Sequence, residues 1–173
     1  MNEAGMMHGE DWNGEDLTGW LATEKMNGCR AYWDGSVLWS RGGIAAKLPA
    51  AWLADLPAVP LDCELYDGTD GLYRCGAALK YGKFTPTMQL IVFDAPAAPG
   101  GWVERMQFAR AAVARSAVAV VPAVTVCAGN GHALDLMRQV QAQGGEGLMM
   151  RTAGLAYRPG RTRDMLKVKY ERH

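Results

Sequence analysis

Apolar and polar positions change over in short runs along most of the chain. Residues 20–26 (WLATEKM), 29–35 (CRAYWDG) and 36–43 (SVLWSRGG) are rich in aromatic and β-prone side chains, with Asn27-Gly28 and Asp34-Gly35 between them. Such dipeptides between strand-like runs predict hairpins. Residues 60–68 (PLDCELYDG), 88–96 (MQLIVFDAP), 146–152 (EGLMMRT) and 164–171 (DMLKVKYE) read as further strands. Residues 117–127 read as a strand broken by proline. A helical period puts Trp102, Met106, Ala109 and Val113 on one face of 101–116. It puts Ala133, Leu136, Met137 and Val140 on one face of 132–145, which ends at Gly144-Gly145. Proline-fenced 48–57 and residues 72–82 complete the helices. Residues 1–16 are polar and Gly-containing and are expected to be irregular. Hairpins first, then strands mixed with helices, predict an α+β fold of antiparallel sheets flanked by helices.

The composition fits one globular domain over residues 1–173. Nearly half of the residues are apolar, enough to build a core without disulfides or structural metal. Cys29, Cys63, Cys75 and Cys127 have neither zinc-knuckle nor redox spacing and read as reduced thiols, which suits a cytoplasmic protein. No apolar run is long enough to span a membrane, and the acidic N-terminus has no signal-peptide core. The expected state is a monomer. Net charge is zero but unevenly placed: residues 1–24 hold six acids and no Lys or Arg, whereas 147–173 hold seven Lys or Arg against two acids. The basic C-terminal third is suited to gripping phosphates.

Two glycine-containing segments imitate nucleotide loops and fail. GAALKYGK (76–83) has five residues between its glycines where a phosphate loop has four, and Phe84 stands where a hydroxyl should hold magnesium. GNGHAL (129–134) lacks the third glycine of a dinucleotide fingerprint and reads as a turn before a helix.

The segment Glu24-Lys25-Met26-Asn27-Gly28-Cys29-Arg30 resembles motif I of the covalent nucleotidyltransferases, which comprise DNA ligases, RNA ligases and mRNA capping enzymes and read Lys-x-Asp-Gly-x-Arg there. The rest follows in order. SRGG (40–43) is similar to the segment after motif I, and LDCEL (61–65) to motif III. VFDAP (92–96) is similar to motif IIIa, GGEGLMMR (144–151) to motif IV and LKVK (166–169) to motif V. The surroundings of Lys25 look most like small bacterial and phage ATP-dependent DNA ligases. The resemblance implies an ATP-grasp-like DNA ligase adenylation domain that uses ATP and Mg2+ and loads AMP onto Lys25. It implies nicked double-stranded DNA as partner. It places Glu64 near the ribose or metal, Glu146 near the metal, and Phe93 on the adenine. It also places Thr23 and Glu24 at the adenine edge, and Arg30 and Arg41 near the ribose or the DNA phosphates.

The chemistry is consistent residue by residue. A phosphoramidate needs a neutral amine, and free lysine has a pKa near ~10.4. Arg30, Lys167, Lys169 and bound metal are candidate cations to favour the amine. Lys167 and Lys169 alternate along a strand and share a face, forming a phosphate clamp. Glu64 and Glu146 are hard oxygen donors suited to magnesium. Arg41, Arg151, Arg158, Arg161 and Arg163 are the candidate DNA contacts.

Two features depart from the family pattern. Asn27 replaces the motif I Asp and removes a charge. The sequence also ends just after motif V, where the family continues into an OB-fold domain with a basic motif VI. The expectation is that no OB domain lies within 1–173 and that a separate OB-fold or DNA-binding protein can supply one. Sealing a pre-adenylated nick is then expected to be easier than self-adenylation. An RNA ligase with the same lysyl-AMP chemistry and a non-catalytic nucleotide- or DNA-binding remnant remain alternatives.

Overall fold

A computed structural model describes residues 1–169. After a single 3-10 turn at Glu3–Gly5, the elements run β1 Met7–Asp11, β2 Leu21–Lys25, β3 Cys29–Trp33, β4 Leu38–Ser40, α1 Ala50–Asp55, β5 Leu61–Tyr66, α2 Leu72–Tyr81, β6 Gln89–Asp94, α3 Trp102–Ala112, β7 Ala119–Val120, β8 Thr125–Val126, α4 Asn130–Ala142, β9 Gly147–Arg151 and β10 Gly160–Lys169. Two five-stranded sheets result. Sheet A has the order β1-β10-β9-β2-β8 and sheet B the order β4-β3-β5-β6-β7. Only β1–β10 and β6–β7 pair in parallel; the other ladders are antiparallel. The α+β reading holds. No helix among the described residues is long and apolar enough to cross a membrane.

Each sheet buries one face under helices. Ala22, Leu148, Met150, Leu166 and Val168 of sheet A pack against Ala133 and Met137 of α4. Ala31, Trp33, Cys63, Leu65, Leu90 and Val92 of sheet B pack against residues of α1 and α2. The predicted inner face of α3 is buried, and it joins the two cores. Trp102 and Met106 pack with Leu21 and Met165 of sheet A, while Ala109 and Val113 belong to the sheet B core. Period-2 alternation then leaves the second face of each sheet turned away from its helices.

Three local expectations are corrected. The first concerns Asn27-Gly28, which does not close a hairpin. β2 pairs with β8 and β9, and β3 pairs with β4 and β5, so residues 26–28 carry the chain from one sheet to the other. A two-residue type I′ turn needs positive φ at both positions, and neither Asn27 nor Gly28 has it. Asp34-Gly35 does join paired strands, with Gly35 at φ 102° and Asp34 Oδ1 accepting from Ser36 N and Val37 N.

The second concerns residues 1–16, which contain β1. Its residues Met7 to Asp11 have weak strand propensity, and the ladder depends on a partner some 150 positions away. For the same reason the last strand begins at Gly160, earlier than expected. Tyr170 and Glu171, assigned to that strand from sequence, lie outside the described residues.

The third concerns residues 117–127, which form two short strands in different sheets, separated around Pro122. A proline cannot donate to a ladder, so the chain changes sheets there.

Gly28 shows why the crossing tolerates no side chain. A Cβ built on it would lie 2.1 Å from the Leu65 carbonyl oxygen of β5. Gly28→Ala is expected to lower stability by roughly 1–3 kcal/mol through overpacking. Urea unfolding checks this, and a midpoint equal to that of the wild type would show that the crossing can move aside freely.

Candidate active site

The turned-away faces of the two sheets oppose each other across one cleft of ≈ 730 Å3. That volume suits a nucleotide-sized ligand. From sheet A, β2 contributes Thr23 and Lys25, β9 contributes Met149 and Arg151, and β10 contributes Met165, Lys167 and Lys169. From sheet B, β3 contributes Arg30, β5 contributes Glu64, and β6 contributes Ile91 and Phe93. The crossing at 26–28 therefore places Lys25 on one wall and Arg30 on the other, although only four residues separate them.

Lys25 ends β2 with its side chain four-fifths buried. Its Nζ lies 2.7 Å from Glu146 Oε2. The other Glu146 oxygen is 4.0 Å from Lys169 Nζ. β9 and β10 are neighbours, with Lys167 opposite Met149 and Lys169 opposite Gly147, so the two lysines share the cleft face with Lys25. Lys167 also stands 3.6 Å from Asp11 Oδ1. Across the cleft, Glu64 accepts a hydrogen bond of 3.2 Å from Gly28 N. Burial raises the Glu64 carboxyl to about 7, against the opposing pull of Arg30 and Lys25.

The floor is strongly ionic. Arg30 donates from Nε and Nη2 to the two oxygens of buried Asp62, both at 2.6 Å, and from Nη2 to Met7 O at 2.9 Å. Tyr157 Oη donates to Asp62 Oδ2 at 2.5 Å. Arg105 holds buried Asp94 by two bonds of 2.7 and 3.1 Å. Arg151 is fully buried, donates from Nη1 to Thr23 Oγ1 at 2.9 Å, and leaves Nε without a partner. Burial pulls Arg151 down to about 10. The Arg30 and Arg151 guanidiniums lie 4.8 and 5.7 Å from the Phe93 ring centroid.

No protein-family model matches the chain. A curated relative, the DNA ligase of Haemophilus influenzae, is 28% identical over 166 residues, covering 93% of this chain and 62% of the relative's length. Among solved structures, a Lig E DNA ligase matches with a TM-score of 0.86 at 22% identity, covering 96% of this chain and 68% of that one. The Chlorella virus DNA ligase-adenylate matches with 0.81 at 17%, covering 95% and 68%. The ATP-dependent DNA ligase of bacteriophage T7, in complex with ATP, matches with 0.67 at 11%, covering 96% and 69%. The fold is that of a DNA ligase adenylation domain. This chain spans somewhat under two thirds of its curated relative.

Within this adenylation fold, Thr23, Glu24, Lys25, Arg30, Arg41, Glu64, Phe93, Glu146, Arg151, Arg161, Lys167 and Lys169 all border the cleft. Arg158 and Arg163 are exposed away from it, and Arg163 pairs with Glu10 at 3.0 Å. Arg41 is exposed and pairs with Glu3. One expectation changes. Arg151 does not lie on the surface where it could meet DNA: it closes the cleft floor, because its strand position faces inward between Thr23 and the Trp102 ring. Arg30 lies in the cleft wall and donates from Nε and Nη2 to Asp62 and Met7. Sequence reasoning missed Asp62, Asp94, Arg105 and Tyr157. Asp62 and Asp94 had a signal, since each is an acid inside a strongly apolar strand pattern and such an acid requires a buried partner.

Glu64 makes stability depend on pH. Its folded pKa, about 7, lies above the ordinary 4.5. The folded state therefore holds a proton that the unfolded state releases, and stability is lost as pH rises from 4.5 through about 7. The loss is at most about 3 kcal/mol. Glu64→Gln should flatten the melting temperature across that window in metal-free buffer. An identical pH profile in both proteins would assign the loss to another group.

Proposed function

We propose that this chain is the adenylation core of an ATP-dependent DNA ligase and that Lys25 is its covalent nucleophile. The observation that carries the reading is Lys25 itself: a largely buried amine at a strand end, 2.7 Å from Glu146, in a nucleotide-sized cleft of the ligase fold. The relative from Haemophilus influenzae supports the DNA ligase class, and the T7 and Chlorella virus proteins were solved with ATP and as the adenylate.

Lys25 Nζ attacks the α-phosphorus of ATP. A nitrogen–phosphorus bond forms, the bond to the pyrophosphate oxygen breaks, and pyrophosphate leaves. Glu146 is placed to accept the proton that the amine must lose. Lys167 and Lys169 flank the same carboxylate face and offset charge on the phosphate oxygens. Thr23 is held by Arg151, which fixes β2 beneath the base site. Phe93 offers its ring to the adenine. The AMP then passes to a DNA 5′-phosphate, and the 3′-hydroxyl displaces it to seal the nick.

Magnesium fits this donor set in a restricted way. Among the described residues no three His, Cys, Asp or Glu side chains converge on one point. Glu64 and Glu146 are two hard carboxylates in one cleft, and magnesium accepts such a pair when water and substrate phosphates complete its shell. Bound there, it would offset charge on the α-phosphate.

Incubation with ATP and magnesium is expected to add one AMP to the protein by intact mass, and Lys25→Ala should abolish the adduct. GTP should label weakly. An adduct that survives in Lys25→Ala, or labelling by GTP equal to that by ATP, would overturn the assignment.

A further inference from the structure

The loop between β9 and β10 (152–159) supplies no group to the chemistry described so far. Within it, Leu155 is buried and Tyr157 half-buried, whereas Ala156 and Arg158 are exposed. Two side chains of the ionic floor hold this loop. Arg105 Nη1 donates to Leu155 O at 2.7 Å. Tyr157 Oη donates to Asp62 Oδ2 at 2.5 Å and accepts from Met7 N at 3.3 Å. Burial and the neighbouring Asp62 charge push the Tyr157 phenol far above its ordinary pKa, so at neutral pH it remains a donor.

Arg30 grips the same two residues from the other side. It donates to both Asp62 oxygens and to Met7 O. Its Nη1 has no hydrogen-bond partner among the described residues. The side chain keeps 15% of its surface exposed and borders the cleft, with its guanidinium 4.8 Å from the Phe93 ring centroid. A guanidinium is planar and rigid, so the direction of Nη1 follows once Nε and Nη2 are fixed. Asp62 fixes them, but an isolated Arg–carboxylate pair can still pivot as one body. The second donor on Oδ2 removes that freedom, because Tyr157 is itself tied to the β1 backbone at Met7 N. Tyr157 therefore bears on a cleft residue without reaching the cleft wall itself: it does not border the cleft, whereas Arg30 does.

We propose that Tyr157 is a positioning residue of the site: through Asp62 it fixes the Arg30 guanidinium so that Nη1 is presented to an acceptor oxygen of the bound nucleotide. That the occupant is a nucleotide rests on the ligase reading; the Tyr157–Asp62–Arg30 link rests on its own hydrogen bonds.

The test joins a spectroscopic reading of Arg30 to a double-mutant cycle. In 15N-labelled protein, the Arg30 Nε–H resonance, assigned by its loss in Arg30→Lys, should exchange slowly with solvent. In Tyr157→Phe, which keeps the ring, that exchange should quicken by about ten-fold. Single-turnover AMP loading should slow by about ten-fold in Tyr157→Phe. In an Arg30→Lys background, the same change should slow loading by less than about two-fold, since the group that Tyr157 positions has lost its planar fork. Tyr73→Phe, on the exposed side of α2, should alter neither reading. Melting temperatures are measured for every variant. A structural role alone predicts equal losses in both backgrounds, and that result would overturn the positioning, as would an Arg30 signal unchanged in Tyr157→Phe. The wild type carries a check that needs no variant to fold: the Tyr157 hydroxyl proton, bonded to Asp62, should appear downfield and exchange slowly. A rapidly exchanging Tyr157 hydroxyl would overturn the link. Should the wild type load no AMP, the ligase reading falls, and the Arg30 and Tyr157 exchange rates still decide the link.

Discussion

The bidentate pair between Arg30 and Asp62 sets the distance between the two sheets. Both residues belong to sheet B, yet Arg30 also donates to Met7 O in β1 of sheet A. Tyr157, from the loop between β9 and β10, donates to the same Asp62 and accepts from Met7 N. Arg30 and Tyr157 thus meet on one carboxylate, and both also bond the Met7 backbone of sheet A. Burying such charges costs several kcal/mol per ion unless geometry and extra hydrogen bonds compensate. Here Asp62 receives three bonds from two donors, Arg30 and Tyr157, and has no solvent exposure. An apolar contact at this point would let the sheets slide or close. A saturated ionic contact fixes both direction and separation, and the cleft above it stays open.

The rest of the floor follows the same logic with one imbalance. Arg30, Arg105 and Arg151 face Asp62 and Asp94, so three guanidiniums meet two carboxylates. Arg105 is matched by Asp94, Gly100 O and Leu155 O. Arg151 has Thr23 and two aromatic rings, and its Nε has no partner. Positive charge beneath low-dielectric walls focuses field into the cleft. The floor thereby favours an anionic ligand before any lysine in the walls is counted, while Glu64 and Glu146 oppose that field from the walls. Burial keeps part of the Glu64 charge suppressed near neutral pH.

Much of this could be read from the chain, and the failures share a cause. The faces of α3 and α4 and the burial of 61–66 and 89–94 obey local periodicity, and each was legible. So was the set of cleft residues, because the motif segments sit at strand ends and turns whose order along the chain the fold preserves. What periodicity could not show was which strand pairs with which. The Asn27-Gly28 dipeptide carries the same local signal as Asp34-Gly35, yet one crosses between sheets and the other closes a hairpin. The difference lies outside both segments, in the partners: β2 pairs with β8 and β9, whereas β3 pairs with β4 and β5. β1 was invisible because its strand character is lent by β10. Arg151 was misplaced because a charged residue at a strand end reads as exposed unless its partners Thr23, Phe93 and Trp102 are known to converge there.

Asn27 shows how the structure accommodates the departure from the motif I pattern. Its Nδ2 donates to Thr69 O at 3.3 Å, linking the sheet crossing to the loop between β5 and α2. A carboxylate at this position has no donor to offer a carbonyl and would face it with like partial charge. The neighbourhood also holds enough negative charge already, since Glu24, Glu64 and Glu146 border the same cleft. Any anion entering there meets less repulsion with a neutral amide than with one more carboxylate. The turn is then held by the Asn27 donor and the Glu64–Gly28 hydrogen bond together. Lys25 is held at the end of β2 by the ladder to β9, opposite Gly147, and β3 resumes the chain beyond the crossing as a partner of β4 and β5.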